Sequence, residues 1–508
     1  MTTHLITPSR EEFCALATRG NLIPVSTELI ADAETPISAF AKLDRGGHTF
    51  MLESAENSDE GGRYSFVGTD PRILFQAHGR QITVTEAGET RSYQAEGDPL
   101  CALQALMARF QPVAMPGLPR FFGGAVGYMA YDMVRFFEPA IGELPSEKSP
   151  PNEVPDMVFM ITDTLLIFDH RLRRLRLLCN ALVEGDPGTA YDVACEKIEA
   201  LVERLARPAF LPPVNIRTHV EPEAPRSNTT REEFHQMVNH AKEYIQAGDI
   251  FQVVLSQRFE TDFEGDALQI YRTLRYINPS PYLFCFKFAD EFALVGSSPE
   301  VHVRAIEGNI TIRPIAGTRK RGATPEQDAA NARELLADPK ERAEHLMLVD
   351  LARNDVGRVC EFGTVQVTDF MTIERYSHVM HIVSNVVGKL REGANAYDVL
   401  RATFPAGTVS GSPKVRAMQI INQSEKSRRY AYAGAVGYFG FDGNHDSCIT
   451  LRSVLLKDGK AFVQAGGGDV ADSDPEGEYQ ETVNKAMAVM RAIEHAKGAA
   501  EGGCHHHH

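Results

Sequence analysis

The chain has 508 residues and carries 52 Lys and Arg against 68 Asp and Glu, a formal net charge of −16. At roughly 150 residues per domain, that length predicts about three domains or one unusually large one. A hydrophobic share of 43% supplies ample material for a core. The acidic balance argues against nucleic acid or an anionic membrane surface as the main partner, while leaving room for a small anionic substrate at a locally basic site. The opening Met1-Thr2-Thr3-His4-Leu5-Ile6-Thr7-Pro8 holds neither a basic run nor an apolar stretch. No segment approaches ~18 uninterrupted apolar residues, so neither secretion nor membrane spanning is expected. Eight scattered cysteines (Cys14, Cys101, Cys179, Cys195, Cys285, Cys360, Cys448, Cys504) form no CxxC and read as reduced thiols of a cytoplasmic protein.

In chain order, the first feature is an internal echo. Gly124-Ala125-Val126-Gly127-Tyr128 is followed by Tyr131-Asp132, and Gly434-Ala435-Val436-Gly437-Tyr438 by Phe441-Asp442 at the same offsets. The match suggests two related strands in two layers of one α+β domain. Residues 207–228 hold Pro208, Pro212, Pro213, Pro222 and Pro225 and show no helical period, which reads as a linker. Thr230-Arg231-Glu232-Glu233 is a capping-box signature, followed by Phe234, Val238, Ala241 and Ile245 at helical spacing and by Gly248 as a stop. Strand-like runs follow at 250–259, 282–288, 301–306 and 310–315, with Glu307-Gly308-Asn309 as a hairpin turn. Thr324-Pro325 opens a helix and Asp338-Pro339 breaks it. A new helix is predicted from Pro339 to about Arg353, and a last one from near Ser473-Asp474-Pro475 past Met490. The expected division is a region 1–207, a linker 208–228, a catalytic region 229–498 and a disordered tail or tag 499–508. The tail ends in Cys504 and His505 to His508.

Several residues can carry chemistry. Glu341 and Glu344 share one face of their predicted helix at i,i+3, and Glu478 and Glu481 repeat the spacing on the last helix, with Lys485 one turn on. Four facing carboxylates would repel unless a cation sat between them, and hard oxygen ligands suit Mg²⁺. Taken alone, each pair reads first as an ordinary solvated helix face, where ExxE is common. Gly466-Gly467-Gly468 permits close backbone approach, and its N–H groups can cradle an anion, although a plain flexible turn has the same composition. Pro405-Ala406-Gly407-Thr408-Val409-Ser410-Gly411-Ser412-Pro413 offers hydroxyls and backbone donors, or simply caps a helix. His378 and His381 at i,i+3 are compatible with a zinc pair or with one catalytic and one structural histidine; with no cysteine or third histidine nearby, the second reading is preferred. Arg452 sits in an apolar, strand-like run and needs an anionic partner, either a substrate carboxylate or an Asp or Glu.

With these residues in place, the chain resembles the chorismate-utilising enzyme family, and within it anthranilate synthase component I, the large chorismate-binding subunit. The resemblance covers nearly the whole chain. It rests on Asp249-Ile250-Phe251-Gln252-Val253-Val254-Leu255-Ser256, Gly296-Ser297-Ser298-Pro299-Glu300, Arg313-Pro314-Ile315-Ala316-Gly317-Thr318, Arg353-Asn354-Asp355-Val356-Gly357-Arg358, both ExxE helices, the Pro405 loop and the glycine segment. It implies an α+β fold of two intertwined subdomains, with two layered, mostly antiparallel sheets flanked by helices. It also implies Mg²⁺-dependent conversion of chorismate and ammonia to anthranilate and pyruvate, with a separate glutamine amidotransferase subunit supplying the ammonia.

Carried over position by position, the resemblance makes Glu344 and Glu481 the main Mg²⁺ ligands, with Glu341 and Glu478 close by. Tyr432 and Arg452 would hold the enolpyruvyl carboxylate, and the Gly466 and Gly468 N–H groups with Lys485 the substrate carboxylates. Glu300 is the candidate general acid for loss of the ring hydroxyl. His381 is the candidate for assisting aromatisation, and Thr408 for positioning ring substituents. Feedback inhibition by tryptophan is implied at Leu52, Glu53, Ser54, Tyr64, Asn278, Pro279, Ser280, Pro281 and Tyr282.

Two positions separate the relatives. Isochorismate and salicylate synthases resemble this chain but carry Lys at the place of Gln252, and aminodeoxychorismate synthases carry Lys at the place of Ala316. An amide at 252 cannot activate water as a base, which favours ammonia. One position departs from the family: Asp469 stands where Ile or Val is usual. An added anion near a dianionic substrate is repulsive by about 3 kcal/mol at ~5 Å and an effective dielectric near ~20, so weakened chorismate binding is expected. Two alternatives follow. One is a chorismate enzyme halting at aminodeoxyisochorismate or isochorismate; the other is a catalytically weak, tryptophan-binding regulatory subunit.

Overall fold

The computed structural model describes residues 4–55, 62–148, 154–216 and 221–501. Cys504 and the terminal histidine run lie outside the described residues. Helix starts follow the capping signals. Thr230 caps Arg231–Gln246 through a reciprocal box: the Glu233 N–H donates to Thr230 Oγ1 at 3.2 Å, and the Thr230 N–H donates to Glu233 Oε1 at 3.4 Å. Gly248 follows with φ +83°, a left-handed conformation glycine adopts at little steric cost. Thr324 caps Pro325–Ala337, and Asp338 caps Pro339–Gly357. The strand expected over 310–315 is two strands, Asn309–Ile312 and Ile315–Lys320, in different sheets. Pro314 stands at the break, where it cannot donate to a ladder. The last helix, Pro475–Glu501, runs past the boundary expected at 498.

Among the described residues the strands form sheets of twelve, eleven and three. One half of the twelve-stranded sheet comes from residues before the proline-rich segment. It runs through Leu22–Leu29, Arg174–Leu182, Thr164–Asp169, Tyr64–Thr69 and His48–Glu53. His48–Glu53 then pairs antiparallel with Tyr282–Phe288, which opens the second half: Phe292–Ser298, Ser453–Lys457, Lys460–Asp469 and Gln252–Asp262. The eleven-stranded sheet is divided in the same way, its seam lying between Gly124–Met129 and Ala435–Gly440. The fold is thus α+β, with both large sheets shared between the two parts of the chain and each joined at a single seam.

That second seam joins the two echo segments to each other, with Gly127 opposite Gly437 and Tyr128 opposite Val436. The expectation of two layers is therefore corrected: the segments are neighbours in one sheet. Their shared glycines explain the arrangement. A Cβ at Gly127 would lie 1.8 Å from the Val158 carbonyl oxygen, and one at Gly437 2.0 Å from that of Asp446. Small residues at matching positions admit close backbone neighbours on the other side of each strand.

At Tyr282–Phe288 both faces of the twelve-stranded sheet are covered. Phe284, Phe286 and Phe288 point between the sheets with Val126, Tyr128 and Tyr438. Leu283 and Cys285 point outward, to join Tyr271 and Leu274 of the helix Ala267–Ile277 and Val489 and Ile493 of the last helix. This is the two-residue period of a strand covered on both sides, each phenyl contributing ~1.5–3 kcal/mol by burial.

Among the described residues the chain crosses between the large sheets within a few residues at 70–72, 162–163, 299–300 and 450–452, and the last two crossings lie side by side. Pro299-Glu300 links Phe292–Ser298 to Val301–Ile306, and Thr450-Leu451-Arg452 links His445–Ile449 to Ser453–Lys457. These two crossings are stitched together. The Ile449 N–H donates to the Glu300 carbonyl at 3.0 Å, the Ser298 hydroxyl to the Ile449 carbonyl at 2.6 Å, and the Ser297 N–H to the Arg452 carbonyl at 3.1 Å.

Candidate active site

A cavity of about 210 Å³ opens beside these crossings. Glu300 and Arg452 reach it from the crossings themselves. Gln252 comes from Gln252–Asp262, Gly466 to Gly468 from Lys460–Asp469, Glu344 from Pro339–Gly357, Glu481 and Lys485 from the last helix, and His381, Thr408 and Tyr432 from the remaining walls. Residues predicted from distant stretches of sequence therefore line one space.

The glycine segment is strand and not the flexible loop its composition suggests. Gly466, Gly467 and Gly468 stand opposite Ser256, Leu255 and Val254. Val254 and Ser256 send their N–H groups elsewhere, to the Ser410 carbonyl at 2.9 Å and to Glu425 Oε2 at 2.9 Å. Their partners Gly468 and Gly466 consequently turn N–H and C=O away from that neighbour, toward the cavity side. Lys485 confirms the direction by donating to the Gly466 carbonyl at 3.0 Å. Crowding favours glycine: a Cβ at Gly466 would lie 2.7 Å from the Tyr432 hydroxyl and 2.9 Å from the Leu255 carbonyl oxygen, and one at Gly468 would displace the end of the Gln252 side chain, 2.2 Å away.

Glu300 is 4% exposed. Burial pushes its carboxyl up to about 8, against the opposing pull of hydrogen bonds from Thr408 and the Ile315 N–H. The Thr408 hydroxyl donates to Glu300 Oε1 at 2.8 Å. A carboxylic acid that keeps its proton at neutral pH is suited to protonating a leaving group. His381 donates from Nδ1 to the Gly317 carbonyl at 2.9 Å, with Thr318 Oγ1 3.2 Å away. Burial, helped by Arg452, lowers its pKa, so the imidazole is neutral and Nε2 carries a free electron pair. His378 is exposed while His381 is buried. His378 lies in the bend before the strand Val379–Val383 that carries His381, so the two do not form the zinc pair left open above.

The four predicted ligands divide. Glu344 and Glu481 both line the cavity. The Glu478 carboxylate lies beside Glu481 over Gly467, and Glu341 packs against Gly317 with Arg319 3.6 Å away. Burial, then repulsion from Glu341 and Glu481, raises the Glu344 pKa; Gln252 and Lys485 act against this. Burial and the neighbouring Glu481 push Glu478 up to about 7, and Glu478 Oε2 is buried with no hydrogen-bond partner. Lys485 Nζ lies 2.7 Å from Glu481 Oε1. Among the described residues, no three His, Cys, Asp or Glu side chains converge closely enough to hold a metal unaided. Two cavity carboxylates with a destabilised third beside them fit Mg²⁺, which takes one or two protein carboxylates and completes its shell with substrate and water.

Asp469 does not line the cavity. It alternates with Gly468 along the strand and shares the Gly467 face, which carries Glu478 and Glu481. It is 1% exposed, both carboxylate oxygens lack partners, and burial with those two glutamates raises its pKa well above the usual carboxylate range. Arg452 corrects a second expectation. It lies in the crossing between two strands, with φ +47°, and not within a strand. Its Nη1 donates to Asn278 Oδ1 at 3.5 Å, and burial lowers its pKa. Tyr432 is buried, its phenol pushed up to about 12.

The predicted regulatory residues also meet. The Ala55 N–H donates to the Ser280 carbonyl at 3.0 Å, and Leu52 and Glu53 stand opposite Phe284 and Leu283. Glu53 is 8% exposed; it accepts from the Ser65 hydroxyl at 2.7 Å and from the Tyr271 hydroxyl, with Arg275 Nε 3.7 Å away. Tyr64 lies on the next strand, and Tyr282 donates to Asp446 at 2.6 Å. Asn278 caps the helix Ala267–Ile277 that carries Tyr271 and Arg275, and the Pro279-Ser280-Pro281 turn follows it. Sequence reasoning missed Gln464, Val254 and Leu348 on the cavity wall. Leu348 had a signal, since it lies one helical turn from Glu344.

The family model described as chorismate binding enzyme matches residues 47–491. The chain belongs to the chorismate binding enzyme family. It is 48% identical to anthranilate synthase component 1 of Aquifex aeolicus, over 97% of this chain and 99% of that protein. The solved structure of anthranilate synthase component I from Streptococcus pneumoniae superposes with a TM-score of 0.72 at 35% identity, covering 91% of this chain and 98% of that one. The menaquinone-specific isochorismate synthase of Escherichia coli shares the fold, with a TM-score of 0.69 at 19% identity over 96% and 99% of the two chains. Within the chorismate binding enzymes, this chain stands with the component 1 sequences. No helix among its described residues is long and apolar enough to cross a membrane.

Proposed function

We propose that this chain is the large subunit of an anthranilate synthase, converting chorismate and ammonia to anthranilate, pyruvate and water, with ammonia delivered by a glutamine amidotransferase subunit. One observation carries the reading. A buried, proton-holding Glu300 shares a cavity with the acidic pair Glu344 and Glu481, and the residue at 252 is an amide and not an amine. Nitrogen adds to the ring as the 4-hydroxyl departs with the Glu300 proton as water. Thr408, bonded to Glu300, fixes the direction of that proton. His381 Nε2 accepts the ring proton as the enolpyruvyl group leaves as pyruvate and the ring becomes aromatic. Arg452 and Tyr432 hold the enolpyruvyl carboxylate, and the Gly466 and Gly468 N–H groups with Lys485 hold the other substrate carboxylate.

Glu344 and Glu481 would hold Mg²⁺, with Glu478 and Glu341 adjacent. When bound, the ion supplies positive charge that offsets the ring carboxylate. Tryptophan is the expected inhibitor, bound around Glu53 and the Asn278 to Tyr282 turn. Displacement of Tyr271 from Glu53 would free a carboxylate for its amino group. The seven described cysteines are all free, which supports a cytoplasmic setting.

The test is product analysis with chorismate and ammonium, with and without Mg²⁺. Fluorescent anthranilate formed only with Mg²⁺ supports the proposal. A non-aromatic amine or isochorismate as the end product overturns it, as does absence of turnover with tryptophan binding intact.

A further inference from the structure

We propose that Arg429, paired with Glu425, is the positioning residue that holds adjoining walls of the cavity in register. Neither side chain touches the cavity, and both are almost fully buried, at 2% and 4% exposure. Their pairing is bidentate: Arg429 Nε donates to Glu425 Oε1 and Nη2 to Glu425 Oε2, each at 2.8 Å. The remaining donors go to the walls. Nη1 donates to the Val409 carbonyl at 2.6 Å, and Nη2 to the Val254 carbonyl at 2.8 Å. The guanidinium carbon also lies 5.4 Å from the centre of the Tyr432 ring.

Each recipient is part of the site: Val254, Val409 and Tyr432 all line the cavity. Val409 follows Thr408, the residue bonded to the Glu300 carboxyl. Val254 shares a strand face with Gln252. Glu425 reaches a further point, accepting from the Ser256 N–H and hydroxyl at 2.9 and 2.8 Å, while Gln464 on the cavity wall donates to that hydroxyl at 2.9 Å. A planar fork with several fixed donors serves two carbonyls and a carboxylate at once. A lysine ammonium keeps the charge and cannot match that geometry. The pair thus adds a side-chain clamp to the backbone bonds that join the loop carrying Thr408 to the strand carrying Gln252.

Stability and positioning can be separated experimentally. A buried ion pair replaced on both sides by apolar residues of similar volume commonly keeps or gains stability. R429M/E425L removes both charges but strands the Val254 and Val409 carbonyls and the Ser256 N–H, so it is expected to fold and to melt below the parent, while kcat/KM for chorismate falls by at least about tenfold. R429K is expected to fold and to lose about tenfold or more in kcat, with tryptophan affinity unchanged. Hydrogen exchange in segments 252–256 and 405–412 should accelerate in both variants. Parental turnover in a folded double variant overturns the proposal, and so does unchanged exchange in both segments. Should the double variant fail to fold, R429K decides by the same two measurements. The kinetic arm rests on the chorismate reading and the exchange arm does not. A parent protein without chorismate turnover would sink that reading and leave exchange to judge this one.

Discussion

Substituting Glu300 with Gln sets stability against activity in a way the geometry makes quantitative. The carboxyl titrates at about 8 in the fold against 4.5 in an open chain. At about 1.4 kcal/mol for each tenfold change in proton affinity, the difference is worth about 5 kcal/mol. The folded state holds the proton more tightly, so the contribution is fully present below pH 4.5 and is lost as pH rises through 8. By pH 7 about 3 kcal/mol has gone. Gln is isosteric and does not titrate; its oxygen can accept from the Ile315 N–H and its amide can donate to Thr408. Glu344, Glu478 and Asp469 titrate in both proteins, so the difference isolates Glu300: E300Q gains stability relative to the parent as pH rises from 5 toward 8. Urea midpoints by far-UV circular dichroism at each pH measure this. Turnover should fall by ~100- to 10,000-fold, the usual worth of a positioned acid. The parent's kcat should decline above pH 8, where the acid loses its proton. Parallel stability curves for the two proteins would refute a neutral Glu300, whatever the activities.

Replacing Glu481 by Gln should raise the Mg²⁺ concentration for half-maximal turnover by at least about tenfold, with calorimetry showing weaker Mg²⁺ binding in the presence of chorismate. An unchanged half-saturation would remove Glu481 from the ion's shell. Asp469→Ile should add about 1–3 kcal/mol of stability by removing a buried carboxyl with no partner, and should leave the KM for chorismate within about twofold. A clear drop in KM would restore the view that this carboxyl repels substrate. Glu53→Gln should retain turnover and raise the tryptophan concentration for half-inhibition; inhibition at the parental concentration would place the effector elsewhere.

Local signals were legible wherever one short stretch decides the outcome. Thr230, Thr324 and Asp338 mark their helix starts because a cap needs only a side-chain oxygen and the next backbone N–H groups. The two ExxE pairs could be found from helical spacing, but their division could not. Whether Glu341 turns to Arg319 while Glu344 enters the cavity depends on a strand from a different part of the chain. The glycine triplet misleads for a related reason. Glycine weakens intrinsic strand preference, and only the ladder with Gln252–Asp262 makes Gly466 to Gly468 extended.

Arg452 and Asp469 show where one-dimensional reading gives out. Each position has two physical readings, a strand residue or a crossing for Arg452, a cavity wall or a helix-facing side for Asp469. The choice is made by how two sheets are joined, since Glu300 and Arg452 owe their places to adjacent crossings. Arg429 and Glu425 carry even less local signal, because an i,i+4 acid–base pair ordinarily marks a solvated helix face. Their burial follows from packing beneath three cavity walls, and a charged pair survives there only because carbonyls and hydroxyls on those walls complete its hydrogen bonds. The requirement runs in both directions: walls that satisfy a buried guanidinium are walls that the guanidinium clamps.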